Sequence, residues 1–445
     1  MMMDQSSDIS GFQKAYDTMR PALPGGGWLQ ELRHIAMTRF MSLGLPGRKL
    51  ESWRYADLKA LRKTPFQPVT KAPEADIAAI EKAAIAGLDA PRLVFVNGRF
   101  SRPLSRLHTL PADLAPKSLR DVLMLGGGSI RDLVMDLRDG DAFDQLNTAM
   151  MSEGVVIEVP EGMQVKTPIE IVYLVTDADN GAAHLRNVIR LGQGASLTVV
   201  ESFAGDDSRF FTNQITQTTL ADGADLTLLR RQHEGSGTVH VSRTYATLGK
   251  ARFQMASIAS GSASARHELR ADVTTEGGHV GYEGIQLARA GQVLDTLTFM
   301  DHAVPSCTST QTYRAVLAGQ SKAAFQGKVL VRRDAQHTDA RQKADSLLLD
   351  RAAEASTKPE LEIYADDVQC AHGATVGELD ADQVFYLMAR GLAPDEARAL
   401  LVEAFVAELC GNIANEPVRD AFLADARNWL TSANSAMDAP KEGDQ

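Results

Sequence analysis

Four stretches of the chain share one pattern: LGQGASLTVV from Leu191, LADGADLTLL from Leu220, LGKARFQM from Leu248 and LAGQSKAAF from Leu317. Each is an apolar residue, a turn containing glycine, then an alternating strand. The first three begin 29 and 28 residues apart. Glycine supplies the positive φ that such a turn needs, and alternation half-buries the strand that follows. A period in the high twenties, made of strand–turn–strand units, predicts stacked β coils. One coil cannot cover its own apolar face, so its neighbours must. The repeat fades between 256 and 316, which leaves the register open there. An antiparallel sandwich of irregular strands is the competing architecture.

Helical patterns flank this body. WLQELRHIAMTRFMSLG sets Leu29, Leu32, Ile35, Ala36, Phe40 and Leu43 at helical spacing and stops at Gly44. ADIAAIEKAAIAGL predicts a further helix, RLVFVNGRF a β-hairpin through Asn97-Gly98, and SLRDVLMLGGGSIRDLVMDL a helix broken at Gly126 to Gly128. Beyond the coils, DADQVFYLMARG has Asp380 as N-cap and Gly391 as stop. APDEARALLVEAFVAELCGN places Leu400, Leu401, Ala404, Phe405 and Leu409 on one stripe. The expected plan is a mostly helical region with a short hairpin over 1–149, a β core over 150–360, a helical domain over 361–432 and a flexible tail over 433–445.

Composition narrows the function. A net charge of -11 lacks the basic face of a nucleic-acid binder. Three cysteines, odd in number and far apart, fit a reducing compartment, not a disulfide scaffold. MMMDQSSDIS has neither a basic nor an apolar signal segment, and no apolar run reaches membrane-spanning length, so the expected setting is cytoplasmic with no membrane contact. The phosphate-binding loop, the dinucleotide fingerprint, H-E-x-x-H and G-x-S-x-G are all missing, and GGGS at Gly126 lacks the lysine of a phosphate loop. The chain is therefore expected to bind no nucleotide itself and to have no catalytic residue.

CAHGATVG, Cys370 to Gly377, is where metal chemistry could enter. Thiolate and imidazole are both ligands for iron and zinc. On an extended segment, residues two apart project from the same face, so Cys370 and His372 would point together. Two ligands do not close a site, and free cysteine is also a common core residue. Packing and ligation both stay open on this evidence. Cys307 and Cys410 read as packing. His267, His279, His302 and His337 read as surface or hydrogen-bonded histidines, with His337 the one set most conspicuously among polar groups.

KPELEIYADDVQCAHGATVGELDADQVFYLMARGL resembles the C-terminal signature of the SufBD family, in its SufD branch, whose members belong to the SUF iron–sulfur cluster assembly system. CTSTQTYRAVLAGQSKAAFQGKVLVRRDAQHTDARQKADSLLLD resembles the family's last β coils, and GLPGRKLESWRYADL its N-terminal motif. HGATVG is of the SufD type, where SufB typically has an HEAT variant. The resemblance implies a right-handed parallel β-helix core between α-helical ends, hence a mainly β fold. It implies a non-catalytic scaffold in complex with SufB, through the β-helix edge, and with the ABC-type ATPase SufC, through the C-terminal helices; a homodimer is the form open to an isolated chain. It also implies that His372, and less directly Cys370, share a transient iron–sulfur cluster with the partner. Two other readings compete: a purely structural subunit, and a β-helix enzyme acting on polysaccharides through a carboxylate cluster. Against the second, the acid pairs Asp206-Asp207 and Asp366-Asp367 fall at turns or strand ends and aromatics are few.

Overall fold

Each repeat is one rung of a parallel ladder. In the computed structural model, which describes residues 9–437 except 72–74, 108–109, 111–113, 115 and 137–139, Ser196 pairs with Asp225, Asp225 with Arg252, Arg252 with His279 and His279 with Thr308. Thr308 then pairs with Asp339, and Asp339 with Gln369. Alternate strands fall into two ten-stranded sheets, forming a parallel β-solenoid of about eight coils. The region from 256 to 316, where the repeat was illegible, is as regular as the rest.

The repeat faded for a geometrical reason. Leu191, Leu220 and Leu248 end strands of the first sheet and lead into the second, whereas Leu317 ends a second-sheet strand and leads back into the first. Both turns of a coil use the same residue chemistry, so a repeat read from turns slips by half a coil. Gly194 and Gly223, at φ 64° and 73°, sit in the first kind of turn with the left-handed backbone that glycine tolerates.

Inward positions alternate with outward ones along every strand. Leu226, Leu228, Phe253, Met255, Ala246 and Leu248 belong to the apolar core that runs through the solenoid. Outward positions of the first sheet meet the N-terminal helices, and those of the second meet the C-terminal helices. Among the described residues the helices are α1 (Ser10–Met19), α2 (Trp28–Leu43), α3 (Lys59–Lys63), α4 (Ile77–Ala83), α5 (Leu119–Met124), α6 (Arg131–Asp136) and α7 (Ala142–Met150) before the solenoid. After it come α8 (Ala381–Ala389), α9 (Pro394–Cys410) and α10 (Glu416–Met437). Of the tail expected over 433–445, residues 433–437 instead continue α10, and 438–445 lie outside the described residues.

Other expectations shift. The solenoid does not end near 360: Gln369–Glu378 is a full strand of the second sheet, and the helical end begins at Ala381. The α9 stripe is also rotated from the one expected. Ala397, Val402, Val406, Leu409 and Cys410 are buried, while Leu400 and Ala404 are exposed. The outer face of the second sheet takes the face of the helix that carries Val402, Val406 and Leu409, and Leu400 is left outside. Phe405 is half-buried with the Arg314 guanidinium 4.7 Å above its ring. In α2, Ile35 and Leu43 likewise lie outside the buried face.

The N-terminal motif is fixed by charge and aromatic stacking. Trp53 is buried, stacked on Phe143 at 5.0 Å, with Arg266 at 4.1 Å over its ring. Arg243 ties Asp141 (2.5 Å) and Asp144 (2.7 Å) of the α7 capping box to the first sheet. From Trp53 the segment reaches the far end of the solenoid, where Glu51 pairs with Lys358. At the opposite side, α10 is clamped by Arg231, whose guanidinium is held by both oxygens of Asp425.

Candidate functional site

The two ends of the solenoid differ. At the first end both sheets finish in a short antiparallel partner: Arg99–Phe100 turns back on Arg92–Val96 through Asn97-Gly98, and Lys117–Ser118 pairs with Val155–Val159. At the other end, Glu354–Ile363 and Gln369–Glu378 are the last strands of their sheets, with no further strand beside them among the described residues. An unpaired edge presents a row of free N–H and C=O groups, which folds usually cover or shorten. Here both edge strands are ten residues long.

His372 lies on this terminal strand and is exposed. Cys370, two residues earlier, is half-buried and packs against the core of the solenoid. The ladder fixes their direction. Cys370 pairs with Ala340 and His372 with Gln342, both inward positions of the preceding coil. The two side chains thus share one face, as the spacing implied. That face is the inside of a coil with no successor, so it opens outward at the end of the solenoid.

Burial pushes the Cys370 thiol up, and the charge of Asp339 adds to this, against a backbone hydrogen bond at Ala340. The protonated thiol is favoured, so this cysteine must turn outward before it can serve as a thiolate. Cys307 is buried with its thiol also raised, and Cys410 is pushed up by burial to about 12 on the inner face of α9. Both are core residues, as expected. Among the described residues no group of three or more His, Cys, Asp or Glu is arranged to hold a metal.

The other candidates have local roles. His337 is exposed at a turn, with Nδ1 3.0 Å from Asp367. His302 is buried against Ser309 (2.9 Å), and His279 bonds Gln254 and Thr308. Asp206 and Asp207 accept from the turn amides of Asp177, Ser208 and Ser236, which ties both carboxylates to local turns.

Two features escaped the sequence reading. Pro359 lies within Glu354–Ile363, and proline within a strand marks an edge; that signal was present in KPELEIY. The second is a polar interior. Arg230 reaches Gln214 and Glu201, Gln214 donates to Glu201 (2.8 Å), and Asn187 donates to Glu201 and Tyr173. His240 Nδ1 lies 2.7 Å from Glu234 and its Nε2 2.6 Å from Arg230, so Nδ1–H donates to the carboxylate and Nε2 accepts from the guanidinium. A cavity of about 30 Å³ beside them, bounded by His267, Tyr282, Asp295 and Thr296, has room for a water or two. No sequence pattern announces such residues, because a paired polar side chain inside a coil looks like one on its surface.

Beside the open edge stands an apolar surface. Ile363, Tyr364 and Val376 are exposed on or next to the terminal strands, and Phe385, Tyr386 and Met388 on α8, none of whose residues is buried. A groove of about 430 Å³ runs between α8, α9, α10 and the solenoid, lined by Leu349, Leu379, Val384, Phe385, Met388 and Val402 among others. Large apolar side chains left exposed in this number are candidates for a contact site.

Comparison with known proteins gives this geometry its context. Residues 173–405 match the SUF system FeS cluster assembly, SufBD core domain, and residues 13–171 match the SufBD protein N-terminal region. The chain belongs to the SufBD family. The iron–sulfur cluster assembly SufBD family protein slr0076 of Synechocystis is 31% identical over 84% of this chain and 84% of its own length. The iron–sulfur cluster assembly protein SufD of Escherichia coli is 29% identical over 87% of this chain and 90% of its own. Protein ABCI7, chloroplastic, of Arabidopsis is 28% identical over 90% and 85%. As a SufBD protein the chain has a role in iron–sulfur cluster assembly. No helix among the described residues is long and apolar enough to cross a membrane.

Proposed function

We propose that this SufBD protein is a non-catalytic scaffold subunit that works with SufB and the SufC ATPase. Its terminal strands pair with SufB, and His372 supplies one ligand to a nascent iron–sulfur cluster, the cargo of the assembly. The observation that carries this reading is the exposed imidazole of His372 on an unpaired edge strand. One imidazole cannot hold a cluster, so the remaining ligands come from the chain that covers the edge. Cys370 is the second candidate from this side, once its thiol is drawn off the core.

Ligands divided across a seam suit a scaffold. The cluster is bound while the seam is closed and freed when it opens, with no bond inside either fold broken. The C-terminal helices offer the lever. Only Leu379 and Asp380 separate the terminal strand from α8, whose exposed Phe385, Tyr386 and Met388 would be gripped by the ATPase. Movement of α8 is transmitted at once to the strand that carries His372.

The test is His372→Ala in the assembled complex under anaerobic conditions. The expected result is a complex of unchanged composition that builds little or no cluster, read by its visible absorption. Full cluster formation would reduce the chain to a structural subunit.

A further inference from the structure

The inward position beneath His372 carries a glutamine, as does the same position one coil further in. Reading inward along the ladder from His372, consecutive coils place Gln342, Gln311 and Tyr282 at the same inward position. Thr298 donates to Gln311 Oε1 at 2.5 Å, and Gln342 Nε2 approaches the same oxygen at 3.3 Å. The Gln342 amide thereby points its donor down the ladder. Its oxygen is buried and has no partner among the described residues, although the residue is only 3% exposed. Across the lumen, Gly327 makes room for it, since a Cβ there would lie 2.0 Å from Gln342 Nε2. A buried acceptor left unpaired is destabilising, so a donor that reaches it is favoured. The His372 ring, one strand spacing away, has no hydrogen-bond partner among the described residues.

We propose that Gln342 is the positioning residue for His372: its amide oxygen accepts the imidazole N–H and leaves the other ring nitrogen directed out of the open coil toward iron. A neutral imidazole has one donor and one acceptor nitrogen, and the group bonded to the donor decides which nitrogen meets the metal. Gln311 and Thr298 hold the amide of Gln342, so the orientation is relayed from inside the solenoid to its rim. The proposal rests on the reading of His372 as a cluster ligand, but the contact itself can be tested without iron.

The experiment is ¹⁵N NMR of the histidine-labelled full chain, well above the imidazole pKa, with the His372 signal assigned by its loss in His372→Ala. Gln342→Met keeps length and removes the acceptor; Gln342→Glu keeps an acceptor oxygen in either protonation state, and thermal melts confirm that each folds. The expected result is one dominant His372 tautomer in the wild type and in Gln342→Glu, and a mixture of both in Gln342→Met. In the complex, Gln342→Met should slow cluster formation several-fold and Gln342→Glu should restore it. A single tautomer retained in Gln342→Met overturns the proposal, even if His372→Ala abolishes assembly. A tautomer mixture in Gln342→Met with normal assembly in His372→Ala upholds the contact and removes the ligand role instead.

Discussion

Individual residues inside this fold are set by what their burial allows. His184, His233 and His302 are pushed by burial to about 3, 4 and 4. In the unfolded chain each titrates near about 6.5. A folded-state value depressed in this way means the fold holds the neutral ring. The stabilisation is complete above the unfolded value and is lost as pH falls toward the folded one. The melting temperature should therefore decline steadily between pH 7 and 4.5, and His302→Asn should flatten that slope. An unchanged melting temperature across the interval would contradict it. Asp141 is pushed up by burial but drawn lower overall by Arg243, so its share is lost only further into acid. His372, by contrast, is exposed where its buried counterparts are sealed. The sequence singled out His372 and Cys370 through their spacing and a family resemblance. It could not reveal that Cys370 leans on the core, since that depends on Ala340, a neighbour only through the ladder.

At the level of elements, the two edge strands decide what the molecule can do. Both are long, both are unpaired among the described residues, and Ile363 and Val376 leave apolar side chains exposed on them. An edge of this kind invites another strand. Val376→Lys places a charge on that edge at an exposed position. It should leave the melting temperature within about 2 °C of wild type, as surface changes generally do, and should weaken SufB binding in a titration about tenfold or more. Wild-type affinity would remove this strand from the seam. Coils and flanking helices were legible from the chain alone, because period and caps are local signals. The repeat slipped at Leu317 and the α9 stripe was rotated, because turn chemistry does not distinguish the two sides of a coil and helix burial depends on the sheet beneath.

The whole molecule is a rod closed at one end and open at the other, with helices bound along both flanks. Trp53 and Arg243 fix the N-terminal helices to the first sheet, and Arg231 with Asp425 fixes α10 to the second. Forces applied to the helices thus reach the coils as one body, and the open end is where that body can meet another. The polar lumen pairs Arg230 with Glu201 and, nearer the open end, Gln342 with Gln311. The most direct measurement is electron–nuclear double resonance on the reduced cluster of the complex, with ¹⁵N-histidine in this chain only. The expected result is a ¹⁵N coupling that vanishes in His372→Ala. A cluster that forms fully with no nitrogen coupling from this subunit would contradict the shared site.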